Sequence, residues 1–177
     1  IPLSEKIIND PVNDPVNDPV NDPVKKRQNK ILTIIRENPK ITAVELAKIG
    51  RTIIIDADPQ GNATTWLGID NLEKELSDIL TNEDYTKDDV IQTILPTQVE
   101  NLFIIPTAGL GGSLGNWQKY GANDDPKAIS RMLRTLKDDF DFCIIDTSPS
   151  FGGIETSCFL ASHETVTVLK IDEFSVD

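Results

Sequence analysis

Two aspartates one residue apart stand at the end of an apolar run: Thr52-Ile53-Ile54-Ile55 leads into Asp56-Ala57-Asp58, then into Pro59-Gln60-Gly61-Asn62. Carboxylates at this spacing can hold a divalent cation directly or through water, and Mg²⁺ held in this way bridges to substrate phosphates. A second acid ends a similar run, where Phe142-Cys143-Ile144-Ile145 closes on Asp146-Thr147-Ser148-Pro149-Ser150. Apolar runs without alternation suit parallel strands covered on both faces, and open α/β sheets bind ligands at the carboxyl ends of such strands. The two acidic ends therefore belong at the same end of one sheet.

A nucleotide-hydrolysing site also needs a glycine-rich loop closing on Lys-Ser or Lys-Thr, whose N–H groups cradle phosphate. The sequence carries no such loop. Ahead of Thr52 stands Arg36-Glu37-Asn38-Pro39-Lys40-Ile41-Thr42, in which Pro39 removes a donor and Glu37 repels phosphate. Gly109-Leu110-Gly111-Gly112-Ser113-Leu114-Gly115 is richer in glycine, but neither Lys-Ser nor Lys-Thr follows. Leu114 also occupies the third glycine position of a dinucleotide loop, so the segment reads as a flexible connection.

The elements that position the acids follow from the same patterning. Asn101 to Ile105 is expected as a strand ended by Pro106, and Pro126 opens a helix with Ile129, Met132, Leu133 and Leu136 on one face. Ile154 to Ala161 is expected as a further helix and Thr165 to Leu169 as a last strand. Strand, loop and helix in alternation call for a parallel sheet covered by helices. Cys143 and Cys158 lack metal-ligand spacing and read as core thiols, and His163 reads as a cap or surface residue.

Upstream, residues 9–24 are four tandem copies of Asn-Asp-Pro-Val. Proline at every fourth position excludes helix and valine alone gives little to bury, so 1–24 reads as a disordered or extended tether. From residue 25 the character changes. Ile31, Leu32, Ile34 and Ile35 recur at helical spacing in a basic frame, and Thr42-Ala43-Val44-Glu45 is a capping box that starts a second helix stopped by Gly50. Residues 30–35 are apolar enough for a strand, but their spacing favours helix.

The chain has 177 residues, a net charge of -12 and 38% hydrophobic content. That length suits one well-cored domain plus an appendage, and the charge argues against most of the chain holding a nucleic-acid backbone. The basic exception is Lys25, Lys26, Arg27, Lys30, Arg36 and Lys40. No run approaches the roughly 18 apolar residues that cross a bilayer, and the amino terminus lacks signal-peptide order, so the expectation is a soluble, cytoplasmic protein with no membrane partner.

Several families use such motifs. Haloacid dehalogenase-type phosphatases place Asp-x-Asp after an apolar strand, with the first aspartate, here Asp56, as nucleophile, but continue with Gly-Thr where this chain has Pro59-Gln60. Metal-dependent glycosyltransferases share only the short Asp-x-Asp. Residues 25–49 resemble the opening of a winged-helix or helix-turn-helix domain, through Ile31-Leu32, Glu37 to Thr42 and Glu45-Leu46-Ala47, without the recognition helix that reads bases. Ile54 to Thr65 with Leu67-Gly68-Ile69 closely resembles the first switch region of ParA/Soj-type partition ATPases, relatives of MinD. Phe140 to Ser150 resembles that family's Walker B strand and second switch, Asn101 to Pro106 its intervening strand, and Val168 to Val176 the strand and turn that follow.

The second resemblance covers 51–177 and implies a set of roles. Asp58 would orient the attacking water, Asp56 would support the Mg²⁺ shell, and Asp146 would hold the ion through water. Pro59, Gln60, Gly61 and Asn62 would form the switch backbone that senses the nucleotide, and Thr147 would join them in contacting it. It further implies Mg²⁺ and ATP as cofactors, a ParB-type partner protein, nonspecific DNA, a possible homodimer and nucleoid association. The expected fold is α/β: an incomplete P-loop-NTPase-like parallel sheet with flanking helices, preceded by the disordered repeat (1–24) and a short helix-turn-helix-like segment (25–50). With the phosphate loop missing, ATP hydrolysis is not expected of this chain. The alternatives are a DNA-binding or regulatory adaptor acting through 25–50 and an Asp-nucleophile phosphatase.

Overall fold

In the computed structural model of the chain, the described residues are 40–109 and 112–167, together with 26, 29, 30, 33, 34 and 36–38. The Asn-Asp-Pro-Val repeat, Lys25, Arg27, Pro39 and residues 168–177 lie outside them. The chain divides into two compact units, Ile1–Asn38 and Pro39–Asp177. In the first, positions 26, 29, 30, 33, 34, 36 and 37 are helical, and the Asn38 N–H donates to the Ile34 carbonyl at 3.0 Å. The apolar spacing of 30–35 thus resolves as helix at its described positions.

The second unit opens with α1 (Ala43–Ala47), whose capping box forms as its residue types require. Thr42 Oγ1 accepts from the Glu45 N–H at 3.2 Å while the Glu45 carboxylate accepts from the Thr42 N–H at 2.8 Å. Then follow β1 (Thr52–Asp56), α2 (Asn62–Trp66), α3 (Leu76–Leu80), α4 (Lys87–Thr93), β2 (Leu95–Pro96), β3 (Leu102–Ile105), α5 (Leu114–Tyr120), α6 (Ala128–Thr135), β4 (Phe142–Asp146) and α7 (Gly153–Ala161). The sheet runs β2-β3-β1-β4. β1 is parallel to both β3 and β4, and only the two-residue β2 is antiparallel.

All five residues of β1 are buried, which accounts for its unbroken β-branched run. Strand alternation sends Ile53 and Ile55 into the larger core, with Leu76, Val90, Ile105, Leu114, Ile129, Met132 and Ile154. Ile54 faces the other way, with Ala47 of α1, Leu102 and Ile104. The helix expected after Pro126 buries Ile129, Met132 and Leu136 as its spacing requires. At the amino ends of the strands the Arg51 guanidinium lies 5.2 Å from the Phe103 ring centroid and 5.1 Å from that of Phe140. The Asp141 carboxylate accepts from the Arg51 N–H at 3.0 Å, joining β1 to β4 where the sheet begins.

Two expectations meet a different outcome at the β4 side, one of them only in its described part. Cys143, read as a core thiol, is exposed, because β4 is an edge strand and no strand pairs with its outer side among the described residues. Its apolar run resembles that of β1, but the strand order gives it one neighbour instead of two. The strand expected from Thr165 is also not formed in its described part: residues 164–167 are irregular and Val166 is 64% exposed. Cys158, in contrast, is a core residue of α7.

Candidate functional site

The register of β1 with β4 places Asp56 directly beside Asp146, at the carboxyl ends of two adjacent parallel strands. The sequence motifs, separated by a large part of the chain, thus meet at one end of the sheet. The Ala57 N–H donates to the Asp146 carbonyl at 2.8 Å and extends the pairing one step past the strands.

Asp56 has no solvent-exposed surface. Its Oδ2 accepts from the Thr64 N–H at 2.8 Å and from Thr64 Oγ1 at 2.6 Å, and its Oδ1 from the Asp58 N–H at 3.4 Å. Thr64 Oγ1 in turn accepts from the Thr107 N–H at 3.0 Å, and Thr107 Oγ1 donates to the Asp56 carbonyl at 2.5 Å. Asp56, Thr64 and Thr107 thus tie together the ends of β1 and β3 and the start of α2. Burial pushes the Asp56 carboxyl above its ordinary value, against the bonds from Thr64 and Asp58, and the nearby Asp58 charge adds to the rise.

Asp58 is 7% exposed, and its Oδ1 accepts from the Gln60 N–H at 2.9 Å while its carbonyl accepts from the Gly61 N–H at 2.9 Å. These bonds wind Pro59, Gln60 and Gly61 into a tight turn that hands the chain to α2 at Asn62. Gly61 sits at φ +65°, and a Cβ there would fall 2.8 Å from the Gly109 Cα and from the Thr107 carbonyl oxygen. The turn therefore lies flat against the glycine loop after β3, an approach that only glycine permits. Asp146, at the edge, is exposed, and its carboxylate has no hydrogen-bond partner among the described residues. Partial desolvation pushes its carboxyl upward, and the charges of Asp56 and Asp58 push the same way.

Two further carboxylates hold the loops around this site, and neither stood out in the sequence. Glu75, at the N-cap of α3, accepts at Oε2 from the Ala108 N–H at 2.5 Å and at Oε1 from the Ser113 N–H at 3.0 Å and Ser77 Oγ at 2.6 Å. The glycine segment read as a flexible connection is therefore anchored at both ends of 108–113, and α5 starts within it at Leu114. Glu155, in the first turn of α7 and 1% exposed, accepts at Oε1 from Ser148 Oγ at 2.6 Å and Ser150 Oγ at 2.5 Å. Burial opposes its charge, but the hydrogen bonds from Ser148, Ser150 and Gln118 outweigh it and hold the carboxyl below its usual range. Thr64 alone had a signal, since it lies in the same motif as Asp56. Glu75 and Glu155 meet partners that only the folded chain brings near.

The chemistry available divides into two halves. Asp146, open at the strand end, can hold a cation through water, while the oxygens of Asp56 are committed to Thr64 and the Asp58 N–H. No group of three or more metal-ligating side chains converges among the described residues, so direct coordination by the full set is not formed. The burial of Asp56 also withholds it from in-line attack on a phosphoester. For the other half, a phosphate cradle, the residues ahead of α1 offer no glycine from Arg36 to Thr42, and the capping box of α1 already uses the Thr42 hydroxyl and N–H.

A family model described as an AAA domain matches residues 40–177. The sporulation initiation inhibitor protein Soj of Bacillus subtilis is 35% identical over 75% of this chain and 51% of its own length. The virulence plasmid ParA family protein pGP5-D of Chlamydia psittaci is 32% identical over 74% of this chain and 50% of its own. The chain spans about half the length of these curated relatives. The septum site-determining protein MinD of Pyrococcus horikoshii, solved in complex with Mg-ADP, superposes with a TM-score of 0.53 at 26% identity, covering 67% of this chain and 45% of that one. With its acidic strand ends side by side on a parallel sheet and these relatives in agreement, the chain belongs to the ParA/MinD-type partition ATPase family.

Proposed function

We propose that this chain is a ParA-type core that keeps the metal-and-water half of the family's phosphate-hydrolysing site and does not bind ATP appreciably by itself. The observation that carries this reading is the sequence that leads into α1. Arg36 to Thr42 hold no glycine and include Glu37 and Pro39, where the family's phosphate loop would precede its first helix, while α1 itself, packing Ala47 against Ile54, Leu102 and Ile104, stands in that helix's place. In this reading Asp58 is the water-orienting acid, Asp146 holds Mg²⁺ through water, and Asp56 is the buried support of both. Pro59, Gln60, Gly61, Asn62 and Thr147 are the backbone that a nucleotide would contact. Mg²⁺, when bound, would screen phosphate charge at the open side of Asp146.

Family-type partners belong to the same proposal: a ParB-type protein, nonspecific DNA and a second copy of the chain, acting in plasmid or chromosome segregation in the cytoplasm at the nucleoid. No helix among the described residues is long and apolar enough to cross a membrane. Isothermal titration with Mg-ATP tests the core claim. Absence of saturable heat supports it, while micromolar affinity, or hydrolysis that disappears in Asp58→Ala, overturns it.

A second reading draws on the helical first unit, in which Lys26, Lys30 and Arg36 are exposed. A DNA-binding or adaptor role for 25–50 predicts duplex affinity that falls with salt and is lost when Lys25, Lys26 and Arg27 become alanine. A salt-insensitive shift counts against it.

A further inference from the structure

We propose that Glu155 is a positioning residue that sets the loop carrying Asp146 and Thr147, and that α5 ties it to Glu75 so that the loops on both sides of the site are ordered together. The second loop has few other attachments. Pro149 and Ser150 are exposed, Phe151 is 97% exposed and contributes no packing, and the side chains of Ser148 and Ser150 both donate to Glu155 Oε1. The same oxygen accepts from Gln118 Nε2 of α5 at 3.3 Å. Glu155 Oε2 is buried with no partner among the described residues, so the hold on the Ser148 and Ser150 side chains runs through one oxygen, while at the loop's far end the Gly152 carbonyl accepts from Thr156.

From Gln118 the path continues along a single helix. Ser113 at the start of α5 donates its N–H to Glu75 Oε1, and Glu75 Oε2 accepts from the Ala108 N–H. Ala108 neighbours Gly109, against which Gly61 of the first acidic turn is packed without room for a Cβ. The chain of contacts therefore runs from Ser148 and Ser150 to the turn that follows Asp58. A displacement of either loop pulls on α5, and α5 cannot shift without loosening the other carboxylate's bonds.

The inference gives meaning to the site reading above, but its readout is loop order in the protein without nucleotide, so failure of nucleotide binding leaves it standing. Amide hydrogen exchange is followed by mass spectrometry for Glu155→Ala, Glu155→Gln, Glu75→Ala and Gln118→Ala. Glu155→Ala is expected to speed exchange across 146–152 by about tenfold while β1 and β3 stay protected. Glu155→Gln keeps an accepting oxygen and fills the unpartnered side with a donor, so it should stay within about threefold of the parent. Glu75→Ala should speed exchange at 146–152 as well as at 107–113, and the distant effect should vanish in the Gln118→Ala background. Unchanged exchange at 146–152 in Glu155→Ala, equal acceleration of the β1 and β3 amides, or no distant effect of Glu75→Ala each overturn the proposal.

Discussion

Thr64→Val isolates the interaction on which the site geometry depends. The substitution keeps the shape of the side chain and removes one oxygen that works twice, donating to Asp56 Oδ2 at 2.6 Å and accepting from the Thr107 N–H at 3.0 Å. Thr64 and Thr107 are 3% and 1% exposed, so water does not replace either bond. A hydrogen bond to a charged group contributes ~1.5–3 kcal/mol, and a buried donor left without an acceptor costs ~1–3 kcal/mol. Because the Asp56 carboxylate keeps its bond from the Thr64 N–H, the combined loss should fall near ~3 kcal/mol. In urea, with a slope of ~2 kcal/mol per molar, the midpoint should drop by ~1.5 M. Thr65→Val is the matched control, since Thr65 is an exposed residue whose hydroxyl donates only to the Gly61 carbonyl at 3.0 Å. It should change stability by under ~1 kcal/mol. If Thr64→Val and Thr65→Val have the same midpoint, the Asp56-Thr64-Thr107 link does not hold the strand ends, and the reasoning fails.

Glycine substitutions separate close approach from backbone strain. Gly61→Ala combines φ +65° with contacts at 2.8 Å and should cost ~2–4 kcal/mol, whereas Gly68→Ala, at φ +68° with its nearest neighbour 3.8 Å away, should cost only ~1–2 kcal/mol; urea midpoints distinguish them. Asp146 titrates above its ordinary 3.8, so the folded protein binds that proton more tightly than the unfolded chain. Its contribution is therefore present at low pH and lost as pH rises from 3.8 through the raised value, so Asp146→Asn should be more stable than the parent at pH 7 and lose that advantage by pH 3, as read by thermal melts at both. Equal melting differences at the two pH values would contradict the assignment. Gly50→Ala would place a Cβ 2.7 Å from Asp141 Oδ2, displacing the acceptor of the Arg51 N–H, and should destabilise by ~1–3 kcal/mol in urea without altering loop exchange at 146–152.

The acidic strand ends were legible because their signal is local: an unbroken β-branched run for β1, a terminal aspartate, and a turn of proline and glycine. The same locality exposes the limits. Phe142 to Ile145 reads like Ile53 to Ile55, but nothing in either run tells a central strand from an edge one, so the core thiol expected at Cys143 is instead an exposed residue of the edge strand, its pKa still pushed up by burial. The strand expected over Thr165 to Leu169 is irregular in its described part, 165–167, and the rest lies outside the described residues. The capping box at Thr42 and Glu45 was explicit, and so was the apolar stripe of α6. The loop anchors were hidden because a glutamate at a helix start is ordinary, and Glu75 acquires its role only when Ala108 and Ser113 fold back onto it. Glycine content suggests looseness at 109–115, and the described ends of that segment are held: Glu75 binds the N–H groups of Ala108 and Ser113, and Gly61 packs against Gly109.

The central claim is that the acid-bearing half of a ParA-type site stands here without a phosphate-holding half. Titration of Mg-ATP into the whole chain, followed by calorimetry and repeated with Asp146→Ala, tests it most directly. The account predicts no saturable binding for either protein; micromolar affinity in the parent that is lost in Asp146→Ala would contradict it.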